Sequence, residues 1–264
     1  MMAAVVSGRG DTVEEAAVTV LVGTSGYNYP EWRGSFYPAG FAASKMLGYY
    51  AERFSTVEIN YTFYRMPTAK TITGWDTGTP SAFCFALKAS RRITHDRRLK
   101  DVDEPLRYFL DTARRLGAKL GPILFQLPPN FKKDLSRLGD LLVQLPADLR
   151  YAFEFRHPSW FAEDVYGLLR GKNAALCIAD TGDGTTPVVA TGDFGYLRLR
   201  DEGYSDVELR EWSETVKRLG SSEWRDAFVY FKHEESGAGP AFAERFGALL
   251  SGRSRTENDR PPPP

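Results

Sequence analysis

Eight short apolar or β-branched runs recur through the chain, most of them separated by helical stretches. This alternation limits the fold more than any other feature of the sequence. The runs are Thr19–Thr24, Thr56–Asn60, Phe83–Lys88, Pro122–Leu127, Arg150–Arg156, Ala174–Asp180, Gly195–Arg200 and Ala227–His233, each of strand length. Apolar residues three and four apart mark helices between them. Met46, Leu47, Tyr50 and Phe54 do so within 42–54, Leu106, Phe109, Leu110, Ala113 and Leu116 within 104–117, and Leu135, Leu138, Leu141, Leu142 and Leu145 within 134–145. Shorter helices fit 67–76, 160–171, 206–219 and 240–250. Asp103 before Glu104-Pro105 and Ser159 before Trp160 read as helix starts. Asp134 and Asp164 bring negative charge to first turns. Strands separated by helices pair in parallel, because a parallel return needs a crossover. Eight such units in about 230 residues match a closed α/β (β/α)8 barrel of the TIM type. An open doubly wound sheet would carry a Gly-rich dinucleotide turn after its first strand, and Gly23-Thr24-Ser25-Gly26-Tyr27 is not one. The Gly/Thr/Pro-rich stretch Thr181 to Phe194 predicts an irregular link between strands six and seven.

With 264 residues, 42% apolar and 13% aromatic, the chain can build one large core. Residues 19–251 read as a single domain, 1–18 as a flexible arm, and 252–264, ending in Pro261 to Pro264, as a disordered tail. No apolar run approaches the ~18 residues of a membrane span. Asp11, Glu14 and Glu15 interrupt any signal-peptide core. A cytoplasmic protein without a membrane partner is the expectation. Thirty-four basic and thirty-four acidic residues cancel, which disfavours a generally basic nucleic-acid binder. Cys84 and Cys177, each inside an apolar run, read as core thiols.

In such a barrel, chemistry sits at the C-terminal ends of the strands, where this sequence concentrates polar residues. Strand two offers Glu58 and Asn60, two apart and so on one face. Strand three ends at Lys88 and strand four at Gln126. Strand five offers Glu154 and Arg156, then His157, and strand six ends at Asp180. Strand seven alternates Tyr196, Arg198 and Arg200 with leucines. Strand eight offers Tyr230 and Lys232, then His233 and Glu234. Glu58, Glu154 and Asp180 against Lys88, Arg156, Arg198, Arg200 and Lys232 leave two positive charges over. That surplus points to a small anionic ligand bearing phosphate or carboxylate. In this reading Glu154 pairs with Arg156, while Lys88, Arg198 and Arg200 remain free for the anion. The competing reading is an internal ion-pair belt.

The resemblance of several motifs to one family is specific when they are taken together. They include Pro30-Glu31-Trp32, Phe36-Tyr37-Pro38, Val57-Glu58-Ile59-Asn60, Thr62-Phe63-Tyr64, Phe85-Ala86-Leu87-Lys88 and Ile93-Thr94-His95. Further along come Leu124-Phe125-Gln126-Leu127-Pro128-Pro129, Glu154-Phe155-Arg156-His157-Pro158-Ser159-Trp160 and Tyr230-Phe231-Lys232-His233. Residues 20–250 resemble, in order, the YecE-like proteins, the family of domain of unknown function seventy-two. The resemblance implies a TIM-type barrel and no established reaction. Many members carry His-Gly after the seventh-strand Arg, where this chain has Arg200-Asp201.

Two classes of function fit these residues. As an enzyme, the chain would hold a small anion with Lys88, Arg156, Arg198 and Arg200. Asn60, His95, Gln126, Tyr196, Tyr230 and Lys232 would line the site, with Glu58, Glu154, His157 or Asp180 as acid or base. As a binding protein it would hold an anion or a nucleic-acid end with the same cations. A metal-dependent phosphodiesterase or nuclease is a variant of the first, with Glu58, Glu154 and Asp180 around a divalent ion. The cationic surplus argues against it, and the three His share no metal-ligand spacing. Arg91, Arg92 and His95 form a basic turn after strand three. The aromatics Tyr27, Tyr29, Trp32, Phe36, Tyr37, Trp160 and Phe161 suit either packing or stacking on a ring.

Overall fold

The computed structural model describes residues 18–201, 203–233 and 237–251. The eight strands expected from the sequence are β1 (Thr19–Ser25), β2 (Thr56–Ile59), β3 (Cys84–Lys88), β4 (Leu120–Gln126), β5 (Tyr151–Glu154), β6 (Ala175–Thr181), β8 (Phe194–Leu199) and β9 (Asp226–Phe231). They pair in parallel in the order β5-β4-β3-β2-β1-β9-β8-β6, and the β5–β6 pairing closes the barrel. The link after β6 holds one extra strand, β7 (Gly184–Thr185), which folds back antiparallel on β6 outside the closed ring. A two-residue turn, Gly182-Asp183, makes that hairpin. The arm before residue 18 and the tail after 251 lie outside the described residues, as does Glu234. Val18 itself packs against the core, beside Gly220.

The helices fall where the apolar spacing put them: α1 (Met46–Ala51), α3 (Ala69–Thr77), α4 (Asp103–Ala113), α5 (Leu135–Gln144), α6 (Glu163–Gly171), α7 (Asp206–Gly220) and α8 (Ala238–Leu250), with a single turn, α2 (Tyr61–Tyr64), straight after β2. Asp134 caps α5 by accepting from Arg137 N at 3.0 Å. Ser205 and Glu208 cap α7 reciprocally. Ser159 caps nothing: it lies inside the short turn Pro158–Trp160, which His157 caps. Between barrel and helices lies the main core, from Trp32 and Tyr37 through Trp160 to Phe246. The first-loop aromatics belong to it. Trp32 and Tyr37 are buried and ring-stacked, which fits packing rather than ligand stacking.

Alternation along each strand fills the barrel's interior with a second cluster: Ala86, Leu124, Ala152, Ala175, Cys177, Phe194, Tyr196, Phe228 and Tyr230. Cys177 is fully enclosed here, while Cys84 is only partly buried. Small residues on β3, β5 and β6 face Phe and Tyr on β8 and β9, so the lower barrel is packed solid. Every polar group at the mouth therefore stands on a rigid apolar plug.

Candidate functional site

The inward positions one step above that plug are Ser25, Glu58, Lys88, Gln126, Glu154 and Arg198, each less than a tenth exposed. Arg198 is the hub. Its Nε and Nη2 donate to Glu58 Oε1 at 3.2 and 2.9 Å, and its Nη1 donates to Glu154 Oε2 at 2.5 Å. Glu58 also accepts from Ser25 Oγ and, at 2.7 Å, from Tyr196 OH. Glu154 Oε2 takes a second donor, Gln126 Nε2, at 2.8 Å. Asn60 Nδ2 donates to Ser25 Oγ at 2.7 Å and ties the end of β2 into the same network. Burial, the largest influence, would raise the pKa of both carboxyls, but Arg198 together with the other cations and donors outweighs it. Glu58 and Glu154 are held below the ordinary carboxylate range, and the same pairing raises Arg198. Ionised and saturated with donors, the two glutamates are poor proton acceptors.

A second, more open tier sits on the far oxygen of Glu154. Arg156 Nε and Arg200 Nη2 both reach Oε1 at 3.1 Å. Their side chains are 35% and 14% exposed against 1% for Arg198. Both line a cavity of about 570 Å³ beside β5, β6 and the hairpin, with Pro129, Phe161, Thr181, Asp183, Thr185 and Thr186. The Nε of Arg200 is buried without a hydrogen-bond partner among the described residues.

These placements correct the charge assignment made from the sequence. Arg198 is not free for an anion: it is the internal counter-ion of two buried carboxylates, and Arg200 shares Glu154 with Arg156. Asp180 is not at the mouth. Cys177 faces inward, so alternation turns residue 179 in and residue 180 out. The Asp180 carboxylate accepts from Thr185 Oγ1 (2.6 Å), Tyr204 OH (2.8 Å) and Trp212 Nε1 (3.3 Å), pinning the hairpin and α7 to β6. Tyr230 sits deeper than expected, its hydroxyl 2.8 Å from Thr56 Oγ1 in the apolar plug. His157 spends Nδ1 on Ser159, accepting from its backbone N at 3.2 Å. Among the described residues it has no hydrogen bond to Glu154 or Arg156. Lys232 is half-buried after β9. The neighbouring His233 bonds the carbonyl of Asp201 and packs on Tyr204 and Phe242. Among the described residues no three His, Cys, Asp or Glu side chains converge as metal ligands. The sequence reading missed Ser25, one residue past the assigned end of strand one. Its inward phase with Leu21 and Gly23 was the available signal.

Lys88 is the exception in the buried tier. Among the described residues no carboxylate lies within ion-pair distance of its Nζ, which instead sits 4.2 Å above the ring of Phe63. His95 meets the same ring edge-on, 4.8 Å between centroids. Burial, then the charge of Arg198, pushes the Lys88 pKa down to about 7. Burial and the neighbouring Lys88 and Arg156 charges push His95 down to about 4, so its imidazole is neutral at pH 7. A folded pKa below the unfolded one means the unfolded chain holds more protons above pH 7, so stability rises with pH there. We expect Lys88 to add about 2 kcal/mol of stability between pH 7 and 9. Urea denaturation at both pH values should show that gain in the wild type and lose it in Lys88→Met.

The closed parallel barrel, with its polar residues gathered at the C-terminal strand ends, defines an α/β protein of the TIM-barrel class. The chain belongs to the family described as "Protein of unknown function DUF72", whose profile it matches over residues 21–264. This is the family that the sequence motifs resemble. The chain is 30% identical over 155 residues to the UPF0759 protein YecE of Escherichia coli (strain K12), a match covering 58% of this chain. It spans about half the length of that relative, 54%. It is 26% identical over 234 residues to the UPF0759 protein YunF of Bacillus subtilis (strain 168), covering 82% of this chain and 79% of that one. Among solved structures, a DUF72 family protein from Thermotoga maritima MSB8 superposes with a TM-score of 0.78 at 28% identity, covering 88% of this chain and 99% of the other. A DUF72 family protein from Enterococcus faecalis V583 gives 0.73 at 19% identity and shares the fold. No described helix is long and apolar enough to cross a membrane.

Proposed function

We propose that the barrel mouth binds a small ligand carrying a phosphate or carboxylate, held by Arg156 and Arg200 at the edge of the 570 Å³ cavity. One observation carries this reading. Two guanidinium groups share a single oxygen of Glu154, which itself answers mainly to Arg198, and one of them has a buried, unused Nε–H. A planar fork with donors to spare suits a carboxylate or phosphate. The placement of Asp180 away from the mouth supports the argument, because among the described residues it leaves Glu58 and Glu154 as the carboxylates of a mouth that also holds Lys88, Arg156, Arg198 and Arg200. Asp183 and the threonines of the hairpin, on the same cavity wall, would contact the uncharged part of the ligand. The divalent-metal variant is not favoured, since the carboxylate oxygens of Glu58 accept from Arg198 and Tyr196 and those of Glu154 from Arg198, Arg156 and Arg200.

Sulfate keeps a constant charge near neutrality and makes a clean probe. It should raise the melting temperature by mass action, less so with added chloride, which screens the exposed tier. Arg200→Met should remove most of that response and remain folded, because Arg198 still neutralises Glu154. A wild-type protein indifferent to tens of millimolar sulfate, or an Arg200→Met variant responding equally, would contradict the proposed site.

A further inference from the structure

Building on that anion reading, we propose that Lys88 forms a Schiff base with the carbonyl group of the ligand, which makes the ligand a small anionic aldehyde or ketone. Lys88 closes β3 at the mouth, points inward, and has no carboxylate partner within ion-pair distance among the described residues, unlike Arg198 beside it in the buried tier. It is enclosed by the Phe63 ring on one side and influenced by the Arg198 charge. A buried amine near a fixed cation gives up its proton more readily and becomes nucleophilic near neutrality, the arrangement that amine-dependent carbonyl chemistry needs. Its lowered pKa, near 7, agrees with that environment. Arg156 links the two halves of the site: it lines the cavity, and its charge acts on both Lys88 and His95.

The step balances without any further reagent. The Nζ lone pair attacks the carbonyl carbon, and the C=O π pair moves to oxygen to give a carbinolamine. Nζ loses both protons as that oxygen leaves as water, and a C=N bond replaces the C=O bond. His95, neutral and resting on the same Phe63 ring, is the nearby group able to relay a proton. Protonated by solvent to an iminium, that C=N bond would then withdraw electrons from the adjacent carbon, which places the ligand among substrates of carbon–carbon cleavage, condensation or tautomerisation.

The test uses the full chain and two probes, pyridoxal phosphate (an anionic aldehyde) and pyridoxal (the same aldehyde without phosphate). Adducts are trapped with borohydride and mapped by mass spectrometry. At pH 7 an amine of pKa about 7 is half neutral, against roughly one in 2,500 for an ordinary lysine. The expected result is Lys88 labelling at least about tenfold faster than the exposed Lys45 and Lys70, slowed by inorganic phosphate and lost in Lys88→Arg. Wild-type Lys88 labelled no faster than those surface lysines would overturn the proposal, and needs no variant to fold. If sulfate stabilises the protein yet Lys88 stays unlabelled, the Schiff base fails and the anion site stands. If Lys88 reacts equally fast with both probes and phosphate does not compete, the amine is reactive and the anion site is overturned.

Discussion

Arg198→Met should strip the barrel of a large part of its stability at neutral pH. Arg198 is 1% exposed and is the ion-pair partner of two carboxylates with no exposure at all. Removing one partner of a buried pair costs about 3–5 kcal/mol, because the charge left behind is neither solvated nor paired. Here two charges are affected, and they are not affected equally. Glu154 keeps Gln126, Arg156 and Arg200, whereas among the described residues the hydrogen-bond donors left to Glu58 are the neutral Ser25 and Tyr196, with Lys88 acting on it only at a distance. The upper part of that range is the expectation, against a total of 5–15 kcal/mol for ordinary domains. The pH dependence carries a distinctive sign. In the wild type both glutamates titrate below their unfolded values, so their contribution is complete above about pH 4.5 and lost as the pH falls toward the folded pKa. In the variant, burial without Arg198 raises the Glu58 pKa, so acid relieves the damage. Urea denaturation at pH 7 and pH 5 should show the gap between the two proteins narrowing at pH 5. A variant as stable as wild type at pH 7 would show that Arg198 is not the anchor.

Glu154→Gln separates the two tiers from the other direction. The carboxylate accepts from three guanidinium groups and one amide. A glutamine keeps one acceptor oxygen and points an NH2 group at donors, so a loss of about 2–4 kcal/mol is expected. Sulfate binding should move the opposite way. Arg156 and Arg200 lose their internal counter-ion while remaining at the cavity edge, so affinity should rise by about tenfold, roughly 1.4 kcal/mol. Calorimetric titration of both proteins with sulfate reads this directly. Weaker binding in the variant would mean that Glu154 holds the arginines in place rather than competing for them.

Much of this arrangement was legible in the sequence because a strand has a period of two. Glu58 with Asn60, Glu154 with Arg156, and Tyr196 with Arg198 and Arg200 could each be placed on one face once the strands were assigned. Asp180 was misplaced for the same reason turned around. Counted from the inward Cys177 it falls on the outer face, and a shift of one residue moves a side chain from the mouth to the helix layer. The partners of Arg198 were not legible. Glu58 lies 140 residues away and Glu154 lies 44 away, and spacing along a strand does not say which of five cations crosses the barrel to which acid. The hairpin was masked by its own brevity, although Gly182-Asp183 between Thr181 and Gly184 is a turn of the right chemistry. The low pKa of Lys88 depends on its burial and on the charge of Arg198, which together outweigh the pull of Glu58 and Glu154, and that balance exists only in the folded chain.

The division between a closed structural tier and an open recognition tier can be read in one spectrum. Side-chain Nε–H signals of arginine, followed by 15N NMR during a sulfate titration, report each guanidinium separately. The account predicts that the Arg200 and Arg156 signals move together and saturate, while the Arg198 signal, locked on Glu58, stays in place and exchanges slowly with solvent. Movement of Arg198, or a response confined to surface arginines such as Arg91 and Arg92 with Arg200 unchanged, would contradict it.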